Sequence, residues 1–367
     1  MILKVKEFQN ACKSILAAVD TTSKTIENET LELVAENKVL TLCVTNKEYF
    51  VSVRMNVDFD ESFIATVDAK LFLSLIAKIT TTEVDLSIKG NTLVIKGNGQ
   101  YKLPMIYEDT KLLELKPIII ENKTSTFVMS SDNLLSILAF NSKELLKGTI
   151  KRPVQAMYYM DNEGCITFTD GACVNSFTLE QPIKVLLTQK LVKLFNLFNK
   201  NTDVQFTLGY DSVGSIIQPK VSFENDSISI TAILPSDPNY LTSVPVRAIR
   251  ARANNMYKYT VNVSKDDLVQ AIDRLLLFAD TKTAKTKAKI EFNVDSMIMY
   301  GPDGETMEVI NYVNTSIDEP YTASLDLTSL KLTLDTCVEQ YLTIHFGDNQ
   351  AMVISRGSIK NVIPQLA

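Results

Sequence analysis

Histidine and cysteine, two residue types that often do chemistry, are few, and they are scattered along the chain. His345 is the only histidine, and it alternates within the run Tyr341–Phe346 in the manner of a strand, so a structural role is expected. Five cysteines occur without a Cys-x-x-Cys pair, which favours reduced, mostly buried thiols over a zinc site. They are Cys12, Cys43, Cys165, Cys173 and Cys337. The sequence thus predicts no metal, no cofactor and no catalytic centre.

Motifs for nucleotide or nucleophile chemistry are missing from the sequence. It has no phosphate-binding glycine loop, no dinucleotide fingerprint and no nucleophile elbow. Carboxylates are plentiful, and a pair such as Glu36 and Glu48 could serve a carboxylate-based hydrolase acting on carbohydrate. The absence of tryptophan disfavours a sugar-binding cleft. That hydrolase is one alternative and a β-rich structural or adhesion protein is another, while the favoured prediction is a protein that is not an enzyme.

The bulk composition is that of a folded chain with more than one domain. Its 367 residues are 46% hydrophobic and 22% charged, which predicts two or three domains. No apolar run approaches the roughly 20 residues that span a bilayer, and Met1–Lys6 lacks the apolar core of a signal peptide. A cytoplasmic location without membrane contact is expected. The net charge of −6 argues mildly against nucleic-acid binding unless the basic residues gather on one face.

A unit of strand, polar cap and amphipathic helix recurs along the chain. Six copies begin near Ile2, Phe63, Ser125, Ile183, Lys258 and Tyr321. Pairs of copies recur about every 120–135 residues, close to a common domain size. The pattern predicts an α+β chain of three similar domains, residues 1–121, 122–253 and 254–367, with joints near Lys116–Lys123 and Arg250–Asn255. Each domain is expected to pack two helices on antiparallel sheets.

Four short segments stand at wide intervals along the chain. They are Tyr107-Glu108-Asp109, Thr169-Asp170-Gly171, Pro235–Tyr240 and Asn361–Leu366. In this order and spacing they resemble segments of the bacterial replicative sliding clamp, the β subunit of DNA polymerase III. The resemblance extends over the whole length, including the three-domain spacing.

The chain departs from the family pattern at three of these places. Ala172-Cys173-Val174 stands where the family usually has His-Arg-Leu. Leu241-Thr242-Ser243 replaces a segment that usually carries a basic residue, and Gln365-Leu366-Ala367 replaces the usual Arg-Leu ending. The sequence therefore resembles a divergent member with an altered partner pocket.

The resemblance implies a processivity factor for DNA replication, without a cofactor or a reaction of its own. Members of the family form a head-to-tail homodimer, a ring of six clamp domains with twelve helices facing a hole. Helices about 8–10 Å apart would leave a bore of about 20–28 Å, which admits duplex DNA. The implied partners are duplex DNA of any sequence, a DNA polymerase and a clamp loader.

Flexible lysines suit a sliding ring, because they attract phosphates without reading bases. Basic residues recur on the water-facing sides of the predicted helices, Lys6, Lys13 and Arg274 among them, and in the loops after the first helix of each domain. The residues predicted to face DNA are Lys24, Lys70, Lys78, Lys147, Lys151, Arg152, Lys190, Lys193, Lys282, Lys285 and Lys287. For any one of them, an ordinary solvated face is the alternative.

The resemblance also implies a groove between the middle and last domains that accepts a short hydrophobic peptide. A few anchoring side chains would supply most of the affinity of such a slot. Carried over by position, its residues are Val154, Thr169, Gly171, Ala172, Val174, Pro238, Thr242, Val362, Ile363, Pro364 and Gln365. Plain packing between domains is the alternative for these residues.

Closure of a ring requires strand edges at which the first domain of one copy meets the last domain of another. The sequence offers Lys96–Leu103 and Ser296–Tyr300 as candidate edges.

Overall fold

The computed structural model describes residues 1–20, 25–138, 152–169, 171–214, 216–279, 286–347 and 351–366. The chain divides into two compact units. The first unit contains Met1–Leu135 and Lys190–Ser236, and the second contains Ser136–Gln189 and Asp237–Ala367. The middle third of the chain is therefore shared between the units. The boundaries of the three domains expected from the repeat stay a prediction.

The α-helices of the described residues are short. In chain order they are α1 (Val5–Leu16), α2 (Ala69–Ile76), α3 (Ser131–Leu138), α4 (Gln189–Lys193), α5 (Pro238–Ser243), α6 (Val246–Ala253), α7 (Lys265–Leu276) and α8 (Leu327–Leu334). Single turns of 3₁₀ helix cover Glu27–Glu29, Pro153–Ala156 and Leu194–Leu197.

Strands make up most of the regular structure, and every pairing between them is antiparallel among the described residues. In chain order they are β1 (Ile2–Lys4), β2 (Thr30–Glu36), β3 (Val39–Thr45), β4 (Tyr49–Asn56), β5 (Phe63–Asp68), β6 (Glu83–Lys89), β7 (Thr92–Lys96), β8 (Gln100–Pro104), β9 (Tyr107–Glu108), β10 (Lys111–Leu112), β11 (Asn122–Ser130), β12 (Met157–Asp161), β13 (Gly164–Phe168), β14 (Ala172–Ser176), β15 (Lys184–Thr188), β16 (Asp203–Val213), β17 (Ile216–Glu224), β18 (Ile228–Ile233), β19 (Tyr259–Ser264), β20 (Lys287–Phe292), β21 (Ser296–Tyr300), β22 (Met307–Asn311), β23 (Asn314–Thr315), β24 (Tyr321–Asp326), β25 (Tyr341–Phe346), β26 (Ala351–Arg356) and β27 (Ile359–Pro364).

The first unit contains a long sheet in the order β11-β16-β17-β18-β4-β3-β2-β5 and a smaller one in the order β1-β6-β7-β8. β18 and β4, which come from the middle and first thirds of the chain, are neighbours in the long sheet. Their register places Ile228 opposite Val53 and Ala232 opposite Tyr49. One continuous sheet thus unites strands that are far apart in sequence.

The second unit repeats this plan. Its long sheet runs β15-β12-β13-β14-β27-β26-β25-β19-β23, and its smaller sheet runs β22-β21-β20-β24. Here β14 and β27 join the middle and last thirds of the chain, with Ala172 opposite Val362 and Asn175 opposite Ile359. Each unit therefore has one distant strand pair at the centre of its long sheet.

Helices α1 and α2 pack against each other in the first unit. The buried residues of α1 recur at helical spacing and are Val5, Phe8, Ala11, Cys12 and Ile15. The ring of Phe8 meets that of Phe72 edge-on, with centroids 6.1 Å apart. The amide Nε2 of Gln9 donates to the carbonyl oxygens of Ile76 and Ile79 at 2.9 and 2.8 Å, which satisfies the end of α2.

The strand-then-helix start predicted six times is confirmed six times. The pairs are β1–α1, β5–α2, β11–α3, β15–α4, β19–α7 and β24–α8. Asp68, Ser264 and Asp326 cap α2, α7 and α8, each side chain accepting from the backbone N–H three residues later at 2.6, 3.3 and 2.7 Å. These caps explain why each helix begins directly at the end of its strand.

The two candidate strand edges have opposite outcomes. β8, which overlaps Lys96–Leu103, pairs only with β7 among the described strands and is an edge as expected. The prediction for Ser296–Tyr300 is wrong, because β21 pairs with β20 on one side and β22 on the other. The edges of that sheet are β22 (Met307–Asn311) and β24 (Tyr321–Asp326) instead.

Helix α6 overlaps the stretch in which the sequence pattern indicated a joint. The first four residues of the expected joint Arg250–Asn255 end α6, and the joint itself stays a prediction. Arg250 is held there because its Nη1 and Nη2 contact the two carboxylate oxygens of Asp161 at 2.8 and 2.6 Å. This bidentate pair ties α6 to the end of β12.

Candidate functional site

The strand pair β14–β27 borders a concave site in the second unit. Gly171 comes directly before β14, at a point where a Cβ atom would lie 2.8 Å from the carbonyl oxygen of Val362. That separation is too short for a side chain, so glycine permits the two strands to approach. Pro364, the last residue of β27, then lies half-buried beside Gly171.

A cavity of about 380 Å³ opens beside this strand pair, and we call it the groove. It is lined by Thr169, Gly171, Asp326, Ser329, Leu332, Thr333, Val362, Ile363, Pro364 and Leu366. Pockets that hold small ligands measure about 300–1,000 Å³. The residues that were expected here from the resemblance, and that do lie together, are Thr169, Gly171, Val362, Ile363 and Pro364.

Helix α8 forms a wall of the groove that the sequence did not reveal. Leu330 and Leu334 face the core of the second unit, and Ile363 of β27 belongs to the same buried cluster. Ser329 and Leu332 therefore lie on the adjacent face of α8, half-exposed towards the cavity. The spacing of the buried leucines was the signal that could have identified this face.

Polar groups at the rim of the groove are fixed by hydrogen bonds. The amide Nε2 of Gln155 donates to the carbonyl oxygen of Thr169 at 3.2 Å, and the N–H of Thr169 donates to the carbonyl oxygen of Gly171 at 2.9 Å. On the other strand, Nε2 of Gln365 donates to the hydroxyl of Tyr321 at 2.9 Å. The groove therefore combines an apolar surface with a rim whose backbone groups are held in place.

The remaining residues predicted for the groove are not among those that line it. Val154 and Val174 are buried to 2% exposure in a core cluster, against which the half-buried Ala172 packs. Thr242 is exposed on α5, and its hydroxyl donates within that helix. The side chain of Pro238 lies outside the described residues. Gln365 holds the rim without lining the cavity.

The predicted DNA-facing residues divide into those that the structure describes and those that it does not. Lys24, Lys147, Lys151, Lys282 and Lys285 lie outside the described residues. The exposed ones are Lys70, Lys78, Arg152, Lys193 and Lys287. Lys190 is half-exposed, and its surroundings differ from those of the others.

Helices α1 and α2 together present a cationic surface, which we call the α1–α2 face. Its exposed residues at helical spacing are Lys6, Asn10, Lys13, Lys70, Ser74 and Lys78. None of these four lysines forms an ion pair with another described residue, whereas the neighbouring Lys4 contacts Glu7 at 3.5 Å. The face therefore carries four lysines without an ion-pair partner among the described residues, while its exposed acids Glu7 and Asp68 contact Lys4 and cap α2, respectively.

Lys190 on α4 has a different environment. Its Nζ lies 3.3 Å from Oδ2 of Asp20 and 3.1 Å from Oε1 of Glu48. Burial lowers the pKa of Lys190, but the hydrogen bonds to Glu48 and Asp20 outweigh it and raise the pKa above its ordinary value. Two carboxylates surround one ammonium, so this lysine adds no positive charge to the surface.

Helices α7 and α8 present a face of opposite character, which we call the α7–α8 face. Nε and Nη2 of Arg274 each lie 2.7 Å from a carboxylate oxygen of Glu308. The two other cations form the pairs Lys265–Asp266 and Lys331–Asp273. Asp267 and Asp335 are exposed in addition. The Arg274 that the sequence placed towards DNA is therefore neutralised.

Comparison with solved structures decides the fold. The chain matches the DNA polymerase III subunit beta from Pseudomonas aeruginosa with a TM-score of 0.76 and 12% identity, over 100% of this chain and 99% of that chain. It matches the DNA polymerase sliding clamp from Bacillus subtilis with a TM-score of 0.72 and 14% identity, over 100% and 98%. The subunit from Borrelia burgdorferi, in complex with a natural product, gives 0.75 and 12%, over 100% and 98%. The chain has the sliding-clamp fold.

The sliding-clamp fold confirms the expected α+β class. The sequence identity to these clamps, 12–14%, is too low for sequence comparison to detect the likeness. A scan against family models gave no match, and a search of curated proteins gave none either. The resemblance noted in the four short segments was therefore borne by a few positions, while the fold is shared over the full length.

Within the sliding-clamp fold, His345 has structural surroundings. Its Nδ1 lies 3.0 Å from the hydroxyl oxygen of Thr260, and its ring stacks on Tyr257 with centroids 6.5 Å apart. Burial lowers the pKa of His345, and the positive charge of Lys360 lowers it further. These contacts agree with the structural role expected from its strand pattern.

The cysteines and carboxylates of the described residues form no metal centre. All five cysteines are buried, as expected, and burial raises the pKa of Cys43 to about 12. No group of three or more His, Cys, Asp or Glu side chains that could hold a metal occurs in the described part of the clamp fold. In the same part of the chain, no helix is both long enough and apolar enough to cross a bilayer.

Proposed function

We propose that the chain is a DNA polymerase processivity factor, a sliding clamp that encircles duplex DNA during replication and has no catalytic role. The observation that carries the proposal is the match over 100% of this chain and 98–99% of clamp chains, with TM-scores of 0.72–0.76. Fold alone does not fix function. The groove and the α1–α2 face add two local features that a clamp needs.

The groove is the proposed docking site for a short hydrophobic peptide of a DNA polymerase and of a clamp loader. Its apolar residues Leu332, Pro364 and Leu366 offer surface for anchoring side chains, and its rim offers fixed backbone groups. This combination suits peptide binding, in which pockets give specificity and main-chain groups give orientation. The same fold in Pseudomonas aeruginosa has been solved as a sliding clamp bound to griselimycin.

The edges β8 and β22 are the proposed surfaces for closure of a homodimer. Both strands have five residues, and they lie in different units of the chain. Exposed Met307 and Val309 on β22 offer apolar contacts beside the unpaired backbone groups. Because one edge differs from the other, the contact between copies would be head-to-tail.

Domain boundaries and location follow from the same proposal. A ring of two copies with six similar domains requires three domains per chain, for which we propose residues 1–121, 122–253 and 254–367. A replicative clamp of this bacterial type works where the chromosome is copied, so a cytoplasmic location is proposed too.

The decisive experiment is retention on circular DNA. The protein is loaded on a nicked plasmid by its cognate clamp loader with ATP, passed through a sizing column, and then treated with a restriction enzyme. A clamp co-elutes with the circle and leaves the linearised DNA. Light scattering of the free protein should give twice 41.0 kDa. Equal retention on circular and linear DNA, or a monomer at micromolar concentration, would contradict the proposal.

A further inference from the structure

The α1–α2 face is built so that its lysines point away from the core. Lys6 and Lys13 are seven residues apart on α1, so they lie on one side of that helix. Lys70 lies in the first turn of α2, and Lys78 lies two residues beyond the end of α2; both are exposed. Phe8 and other buried side chains occupy the opposite side. The exposed residues between the lysines are Asn10 on α1 and Ser74 on α2. Their side chains are short and neutral, so they do not cover the ammonium groups.

The α7–α8 face lacks an excess of positive charge. Its acidic residues are Asp266, Asp267, Asp273 and Asp335, and its basic residues are Lys265, Arg274 and Lys331. Arg274 is also bound by Glu308 from β22. Each of the three cations has a carboxylate partner, so none of them could reach a phosphate without breaking an ion pair.

This difference matters because phosphate attraction acts through local charge. Each phosphate that a lysine neutralises releases a counterion, with a slope of about −0.9 in log K against log salt for duplex DNA. Four lysines without a carboxylate partner can supply several such contacts. A face with more acids than bases repels the same phosphates within the screening length of about 8–10 Å.

We infer that duplex DNA is held against the α1–α2 face and that the α7–α8 face makes no phosphate contact. The inference rests on the proposed clamp function and narrows it. The surface that faces DNA is then not uniformly cationic. The duplex is attracted to the first part of each chain, where the α1–α2 face lies. Lys190 and Arg274 are excluded from the contact because carboxylates already hold them.

The test compares the salt dependence of binding for three multiple variants. The first removes the four charges of the α1–α2 face by substituting Lys6, Lys13, Lys70 and Lys78 with Gln. The matched control removes four exposed charges elsewhere in the first unit by substituting Lys47, Lys89, Lys111 and Lys123 with Gln. The third substitutes Arg274 and Lys331 on the α7–α8 face with Gln. Lys331 is half-exposed and the other substituted residues are exposed. Circular dichroism melting checks that each variant folds.

Binding to a fluorescein-labelled duplex of 30 base pairs, followed by anisotropy over a salt series, gives the slope for each protein. The α1–α2 variant should lose about 2–4 units of slope, at about 0.9 per phosphate contact. The matched control and the α7–α8 variant should keep the wild-type slope within about 0.5 unit. An unchanged slope in the α1–α2 variant, or an equal loss in the control, would overturn the inference.

Retention on nicked circular plasmid separates this inference from the clamp proposal. A closed ring stays on a circle because of topology, so the α1–α2 variant should still be retained once loaded. If the wild-type protein is retained and the slopes of all variants agree, only the inference fails. If the wild-type protein is not retained on circles, the clamp proposal fails, whatever the slopes are.

Discussion

Two strand pairs, β18–β4 in the first unit and β14–β27 in the second, have the same place in their sheets but are flanked by different side chains. Both complete a long sheet from strands that are far apart in sequence. Beside β14–β27 lies the groove, with Leu332, Val362 and Pro364 in its lining. Beside β18–β4 lies a cavity that the side chains of Arg54 and Glu224 bridge, Nη2 to Oε1, at 2.6 Å.

The comparison teaches that the backbone plan alone does not make a docking site. The cavity at β18–β4 is lined by polar groups that bind each other, and the N–H of Arg54 also donates to the carbonyl oxygen of Ser227 at 2.7 Å. An incoming peptide would have to displace these bonds, and Val128 is the large apolar side chain that this lining exposes. In the groove beside β14–β27, Leu332 and Pro364 are half-exposed and Leu366 is exposed, so binding can remove their apolar surface from water.

The largest expected effect is that of Gly171→Val. A side chain there would meet the carbonyl oxygen of Val362 and force β14 from β27, so the free energy of unfolding should fall by about 2–4 kcal/mol. Urea unfolding measures this change. Gly99→Ala is the control, since the nearest atom to its Cβ would be the hydroxyl oxygen of Tyr101 at 3.5 Å, an ordinary van der Waals contact. Equal stability of the two variants would show that the close approach at β14–β27 is not needed.

The groove and the polar cavity should differ next in binding. Leu332→Ala should weaken binding of a hydrophobic peptide from the cognate polymerase by about tenfold, because a buried anchor contact is worth 1 kcal/mol or more. Val128→Ala, at the polar cavity, should leave that affinity unchanged. Isothermal titration of both variants is the measurement. Loss of affinity in the Val128 variant would mean that both cavities bind peptide.

A smaller effect is expected from the ion pair at β18–β4. The side chains of Arg54 and Glu224 are 34% and 43% exposed, so water screens their attraction. A double-mutant cycle with Arg54→Met and Glu224→Gln should give a coupling of about 0.5–1 kcal/mol. A coupling above about 2 kcal/mol would be typical of a buried ion pair. The Arg54–Glu224 pair would then contribute substantially to the stability of the β18–β4 contact.

The smallest effect concerns the pH response of the first unit. Burial raises the pKa of Glu32 on β2; the N–H of Leu115 opposes this, and the charge of Glu114 adds to it. A raised folded pKa means that protonation favours the folded state, so stability is gained as pH falls. Glu32→Gln should therefore be more stable than wild type at pH 7, and the difference should vanish below the ordinary glutamate pKa of about 4.3. Melting curves at both pH values measure it.

The elements that follow local patterns could be predicted from the sequence. The strand-then-helix starts depend on apolar spacing and on caps such as Asp68 and Ser264, which are local signals. Helices α5 and α6 were missed because Pro238 and Pro245 look like loop residues, although proline fits the start of a helix. The pairing of β14 with β27 was not readable, since no local pattern names a distant partner.

The candidate site shows the same limit. Gly171, Val362 and Pro364 were found through family segments at strand ends, whereas Leu332 and Asp326 carry no such mark. Lys190 was predicted to face DNA from its residue type and its place on a predicted helix. The sequence does not show that Asp20 and Glu48, which are far away along the chain, form ion pairs with it. Charge could be counted from the sequence, but its partners depend on the tertiary fold.

The edges β8 and β22 have a consequence for mutant assemblies. Each copy offers one edge that can accept a strand and another that can be added to a neighbour. If the proposed contact joins successive copies and the rotation between them is half a circle, growth stops at two. A rotation that closes after more copies gives a larger ring, and a rotation that does not close lets the same contact continue into a filament. Substitutions that change this rotation should therefore yield larger rings or fibres rather than isolated subunits.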